Sequence, residues 1–235
     1  MERKNEMIRA IVFDIGRTLT GYQKPLNWSA LYRPALEYAV ASCGIEFTET
    51  DYQHAIKVLT QYNTRVNPRE YEVSSAQIFR EIFSGSSLEE ANIASFKHGF
   101  YSFFRRDAVI YPEVEHTLRG LRERGILLGT LSDVAYGMDN SYVLDDIAPL
   151  LPYIQYPFTS NDTGYRKPSV RGLQYVAEQM QLPLSEIAFV GDEEKDILCA
   201  NLAGAYSILI NRSGEEKPFG QKLEIRSLDE LLEMI

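Results

Sequence analysis

The chain is predicted to be an α/β protein: a parallel sheet covered by helices, with an all-helical domain inserted into it. Three observations predict this. First, short apolar runs end abruptly on polar residues: Ile8 to Phe13 at Asp14, Ile126 to Leu131 at Ser132-Asp133, and Ile187 to Val190 at Gly191-Asp192. Each is too short for an ordinary helix and reads as a buried strand. Second, beyond residue 106 these runs alternate with amphipathic patterns, the rhythm of units that build a parallel sheet covered on both faces. Third, the patterns from Trp28 to Phe104 are helical only, over roughly 75–80 residues, the scale of a small domain.

Taken in order, the first strand ends at Asp14, followed at once by Ile15-Gly16-Arg17-Thr18. A carboxylate at the C-terminal edge of an open α/β sheet stands where such sheets bind ligands, and serves as nucleophile, metal ligand or both. The same residue type after a strand is also a common turn or cap residue. Helices are then predicted over Trp28 to Ala41, after the cap-rich Thr48-Glu49-Thr50-Asp51, from Ser74-Ser75 to a stop at Gly85, and from Ser86-Ser87 to Phe103-Phe104. Pro112 suits the first position of a helix running to Arg124 and closed by Gly125. The strand Ile126 to Leu131 follows, then a helix from Asp139 to about Ile147, a short strand from Tyr156 to Thr159 and a helix from Ser169 to Met180. After the strand ending at Asp192 come a helix from about Asp196 to Leu202, a strand from Tyr206 to Ile210 and a last helix opened by Ser227. Domain boundaries are placed at 1–20 with 106–235 for the sheet, and at 21–105 for the helical insert.

Net charge is −9, from 24 basic and 33 acidic residues, which argues against a nucleic-acid partner. The 45% hydrophobic content is that of a globular protein with a buried core. Cys43 and Cys199 sit in apolar helical patterns at no metal-ligand spacing and read as buried free thiols. Met1 to Glu6 carry no apolar signal segment, and no stretch approaches a membrane span, so a soluble, cytoplasmic protein is expected. A monomer or homodimer is expected.

In a parallel sheet the polar strand ends can lie side by side. Asp14, Ser132, Asp133 and Asp192 would then converge with Lys167, which the loop Gly164-Tyr165-Arg166-Lys167-Pro168 holds between glycine and proline. Carboxylate oxygens suit Mg2+, a lysine offsets phosphoryl charge, and a serine beside a helix start holds phosphoryl oxygens.

Here the sequence resembles the haloacid dehalogenase superfamily of phosphotransferases and hydrolases, in four motifs in the right order along essentially the whole chain. Phe13 to Leu19 resembles the first, Leu131-Ser132-Asp133 the second, Gly164 to Pro168 the third and Phe189 to Asp196 the fourth. The helical insert between motifs one and two is where that family places its cap. The resemblance implies a Rossmann-like core acting on a small phosphorylated metabolite. It implies that Asp14 attacks phosphorus, Ser132 hydrogen-bonds the phosphoryl group and Lys167 neutralises charge there. It further implies Mg2+ held by Asp14, the backbone carbonyl of Gly16, and Asp192, with Asp196 as a ligand or an anchor behind one. Arg17, Thr18 and Asp133 are carried over as substrate-binding residues.

One departure stands out. Phosphatases of the family usually carry a second aspartate two residues after the nucleophile, which protonates the leaving group and then activates water. Here that position is Gly16. General acid–base help is typically worth about 10²–10⁴-fold, so slow turnover is expected, and glycine would also permit a backbone geometry closed to other residues. The alternatives are a weakened fold retained for ligand or protein binding, or an activity like that of phosphonatases or dehalogenases. Phosphonatases use a cap lysine, for which Lys57 and Lys97 are the candidates, with solvated helix lysines as the plainer reading. Tyr22, Trp28 and Tyr62 are candidates for either an aromatic wall or core packing. His54, His98 and His116 are scattered on predicted helices and are given no role.

Overall fold

The computed structural model describes residues 8–24, 26–84 and 92–234. Two compact units emerge, each described below on its own: Met1–Gly21, Ile110–Asp133 and Ile147–Ile235 form the first, and Tyr22–Val109 with Val134–Asp146 the second. The start of the helix expected from Ser86-Ser87, its predecessor's stop at Gly85 and the segment Met1 to Glu6 lie outside the described residues. No helix among the described residues is long and apolar enough to cross a membrane.

The first unit is an α/β layer structure of Rossmann-like type. Its strands β1 (Ala10–Phe13), β4 (Leu127–Ser132), β5 (Tyr156–Thr159), β6 (Ile187–Gly191), β7 (Tyr206–Ile210) and β8 (Leu223–Ile225) form one sheet in the order β5-β4-β1-β6-β7-β8. Every pairing is parallel. Alternation along β1 divides the core: Ala10 and Val12 pack with Phe189, Leu173, Val176 and Ala200, from β6 and the helices α8 (Val170–Met180) and α9 (Glu194–Ala203). Ile11 and Phe13 point the opposite way, as a period of two requires, and are fully buried. Helix α5 (Val114–Glu123) packs on β4 and on the C-terminal α10 (Leu231–Met234).

Helices α1 (Tyr32–Cys43), α2 (Glu49–Tyr62), α3 (Ser75–Phe83) and α4 (Ile93–Arg105) build the second unit. Thr48 opens α2 through a reciprocal cap with Asp51: the Asp51 N–H donates to Thr48 Oγ1, and the Thr48 N–H donates to Asp51 Oδ2. The core is aromatic. Phe79 meets Phe100 and Tyr101 edge-on at centroid distances of 5.5 Å, and Trp28 stacks on Phe104 at 3.7 Å, so Trp28 belongs to the packing and not to an exposed wall.

Several expectations need correction. The segment Val134–Asp146, assigned by sequence to the sheet domain, belongs to the helical unit, because Val134, Tyr136 and Met138 enter that unit's core. Ion pairs from Lys97 to Asp139 (2.6 Å) and from Arg105 to Asp146 (2.8 Å) hold the rest of it, including α6 (Asn140–Asp145). The residues Ser29–Leu31 form a tight 3-10 turn, so α1 begins only at Tyr32. Helix α9 starts two residues before Asp196, because Glu193 serves as its cap. Cys199 is buried, whereas Cys43 is only partly so. Unforeseen elements are the mutually paired β2 (Thr20–Tyr22) and β3 (Ala108–Ile110), the edge strand β8 and the one-turn α7 (Ser160–Thr163). Each is three or four residues long, too short to show a period.

Helices α1 and α4 pack closely at Gly99, where an added Cβ would stand 2.9 Å from the Ala39 Cα. The obstacle is backbone and cannot rotate away. Gly99→Val is expected to cost about 1–3 kcal/mol of stability, read as a lowered urea midpoint. An unchanged midpoint would mean that these helices separate freely.

Candidate active site

The sheet order sets three polar strand ends side by side, because β4 and β6 flank β1. Ser132 is the last residue of β4, Asp14 follows β1, and Asp192 follows β6; the Asp14 N–H donates to Val190 O at 2.9 Å. The crevice beyond the carboxyl ends of parallel strands is the usual ligand site of such sheets.

Lys167 reaches this edge from the loop after α7. Gly164 ends that helix with φ +74, a left-handed conformation that costs glycine little, and Asp133 fixes the next turn by accepting the Lys167 N–H at 3.0 Å. The lysine side chain is 1% exposed and its Nζ stands 2.6 Å from Asp14 Oδ1 and 2.7 Å from Asp196 Oδ1. The contact with Asp14 is aligned as a hydrogen bond; the one with Asp196 is an ion pair without that alignment. The other oxygen of Asp196 accepts the Glu193 N–H at 2.9 Å. Gly191 makes room for this carboxylate, since a Cβ there would come within 2.4 Å of it.

One oxygen each from Asp14, Asp192 and Asp196 lies within 4.8 Å of the others. Burial raises the Asp14 carboxyl to about 6, against the opposing pull of Lys167. Burial also raises Asp192 to about 7, reinforced by the charges of Asp14, Asp196 and Glu193 and eased slightly by Arg17. Lys167 titrates well above its ordinary range: burial disfavours its charge, but Asp14, Asp196 and Asp133 together outweigh that. Three buried carboxylates against one buried ammonium leave an excess of negative charge made of hard oxygen donors, a set that fits Mg2+. Both oxygens of Asp196 are already engaged, so Asp14 and Asp192 are the better placed ligands.

The remaining expected residues fall into two groups. Arg17 is exposed beside the site, with the left-handed φ of +58, and its charge acts on Asp192. Gly16 is half-buried and lies outside the left-handed region, so its backbone did not require glycine. A Cβ at position 16 would meet nothing nearer than Asp14 Oδ2, at 4.0 Å. Thr18 and Asp133, expected to touch substrate, both have buried side chains. Thr18 is fully buried. Asp133 spends both carboxylate oxygens inside the protein, on the Lys167 N–H and on Lys195 at 3.0 Å, with Arg166 at 3.9 Å. Burial pushes this carboxyl up, but Lys167, Lys195 and Arg166 carry it below its ordinary value.

Sequence reasoning gave no role to Lys195 and Arg166, although both lie within quoted motifs. It also missed Lys217, whose Nζ donates to the Asp192 carbonyl at 3.3 Å; nothing in its neighbourhood signals a site. Lys97 is not a solvated helix lysine: its side chain is largely buried and tied to Asp139 and Ser75 within the helical unit, whereas Lys57 is exposed.

A sequence profile of the haloacid dehalogenase-like hydrolases matches residues 8–204, and the chain is a hydrolase belonging to that family. It is 24% identical over 217 residues to a ribulose-1,5-bisphosphate 5-phosphatase of Halopiger xanaduensis, covering 89% of this chain and 87% of that one. It is 25% identical over 211 residues to a glyceraldehyde 3-phosphate phosphatase of Methanopyrus kandleri, covering 88% and 85%. With a phosphoglycolate phosphatase of Pseudomonas fluorescens it shares 24% identity over 134 residues, and the match spans only 46% of that relative's length. In fold it is similar to a HAD phosphatase from Thermococcus onnurineus (TM-score 0.65, 20% identity, 96% of this chain and 97% of that one). It is equally similar to a 2-haloacid dehalogenase from Pseudomonas syringae (TM-score 0.67, 19% identity, 97% of each chain).

The raised carboxyls carry a stability consequence. In acid, Asp14 and Asp192 are protonated in both folded and unfolded chains. As pH rises, the unfolded chain releases these protons near 3.8, while the folded one holds them to about 6 and about 7. Their contribution is therefore complete below about pH 4 and is lost as pH rises through 6 to 7. Metal-free protein in EDTA is expected to lose melting temperature across that window, and Asp192→Asn to lose less. Parallel curves for the two proteins would contradict the assignment.

Proposed function

We propose that the protein is a Mg2+-dependent phosphatase of a small phosphorylated metabolite, with Asp14 as the nucleophile. The observation that carries this reading is the state of the Asp14 carboxylate. Lys167 holds Oδ1 at 2.6 Å, while Oδ2 is the atom nearest the open position 16. A carboxylate fixed by one oxygen leaves the other oriented for attack on phosphorus, and the pre-set geometry lowers the entropic part of the barrier. Ser132 stands at the neighbouring strand end to hold a phosphoryl oxygen, and Lys167 offsets charge as it builds. Arg17 is available to an anionic part of the substrate. Asp14 and Asp192, backed by Asp196 and joined by the Gly16 carbonyl, would hold the ion, which when bound supplies neutralisation of the phosphoryl oxygens. The relatives named as phosphatases of ribulose bisphosphate, glyceraldehyde 3-phosphate and phosphoglycolate support a small phosphorylated substrate.

Gly16 favours a second reading of the same site, in which the Asp14 aspartyl-phosphate forms but is hydrolysed slowly. No side chain stands at position 16 to protonate a leaving group or activate water. The time course of p-nitrophenol release from p-nitrophenyl phosphate with Mg2+ separates the two, since this leaving group departs without an acid. Linear turnover abolished by Asp14→Asn supports the phosphatase; a burst near one equivalent and then a stall supports the slow phosphoenzyme. Release undiminished in Asp14→Asn would refute both. Because position 16 is open, Gly16→Asp is expected to fold normally. In the stalled case it should raise steady-state turnover by about 10²–10⁴-fold.

A further inference from the structure

We infer that Arg212, two residues beyond β7 and outside every motif, is a positioning residue that clamps the loop carrying Gly16 and Arg17 behind Asp14. The inference rests on the reading of Asp14 as the reacting group. Within that loop the N–H groups of Thr18, Leu19 and Thr20 all converge on the Ile15 carbonyl, at 3.3, 2.9 and 3.0 Å. Its outer half is poorly held by side chains: Gly16 has none, and Arg17 is exposed with a left-handed backbone, a strained conformation for a residue with a Cβ. The attachment comes from outside. Arg212 Nη2 donates to the Thr18 carbonyl at 3.1 Å and the same nitrogen stands 2.6 Å from Glu113 Oε1. Its guanidinium lies over the Tyr111 ring, 3.7 Å from the centroid. Tyr111 in turn donates its N–H to the Leu19 carbonyl at 3.1 Å, and its ring occupies the space a side chain at Gly21 would need, 2.7 Å from the Cβ position.

One planar cation thus fixes three things at once: the loop behind the nucleophile, the residue at which α5 is approached, and the ring packed on Gly21. Gly21 and Tyr111 flank the two points, after Gly21 and before Ile110, at which the chain changes unit. A lysine would keep the charge but lose the plane stacked on Tyr111. A small shift of a catalytic loop can cost about 10²-fold in rate. Arg212 touches neither Asp14 nor Lys167, so its loss should act on the rate of the reacting complex more than on substrate affinity.

The test is Arg212→Ala in the full chain, with p-nitrophenyl phosphate kinetics, amide hydrogen exchange and added methylguanidinium. The expected result is a fall in kcat of roughly 10–100-fold with KM changed by no more than about twofold. Faster exchange at residues 18–21 and 111 should accompany it, and methylguanidinium should reverse both effects by refilling the site. Unchanged kcat and exchange would overturn the inference. So would a loss of melting temperature and rate that methylguanidinium does not reverse, since that is what a merely structural arginine would give. Where Arg212→Ala does not fold, Arg212→Lys carries the same test. If the wild-type protein turns over no phosphoester, the phosphatase reading fails, while reversal of the exchange by methylguanidinium still decides the clamp.

Discussion

The first unit is arranged around a single buried ammonium. Lys167 lies between Asp14 and Asp196, and neither carboxylate is tolerable in that interior without it. Much of the local structure serves to deliver that charge. The turn at Gly164 aims the loop, Asp133 holds its backbone, and Lys195 and Arg166 balance Asp133 in turn. Gly191 clears the space into which Asp196 fits. The same lysine does not reach Asp192, whose carboxyl is raised to about 7 by burial and the charges of Asp14, Asp196 and Glu193.

What the sequence revealed and what it hid follow from the range of the forces involved. The strands at Asp14, Ser132 and Asp192 were legible because burial on both faces demands continuous apolar runs, and the long helices because one buried face imposes a period. Short elements carry no such imprint: β2, β3 and β8 are each held by a partner distant in the chain. The motif residues Asp14, Lys167, Asp192 and Asp196 were legible as a set, and the structure brings them within a few ångströms. That the side chains of Thr18, in the loop after β1, and of Asp133, just beyond β4, are buried was not legible, because a polar residue looks the same in sequence whether it is buried or exposed. Arg212 and Lys217 were invisible, since the segment that bears them shows neither period nor motif.

Gly16 illustrates how a local reading can fail in the opposite direction. Glycine two residues after Asp14 would permit a backbone geometry closed to other residues, yet the left-handed residue of the loop is its neighbour Arg17. The vacancy at position 16 is thus chemical and not conformational. The strain falls on an exposed arginine whose charge acts on Asp192.

The helical unit is assembled from two separate lengths of chain, the second beginning at Val134, immediately after Asp133. Exchanging this unit for that of a relative, as one would to transplant selectivity, therefore requires two grafts. A swap confined to Tyr22–Val109 would leave Tyr136 and Met138 facing a foreign aromatic core. Chimeras of such proteins would then lose function through a mismatched seam, although every motif residue had been retained.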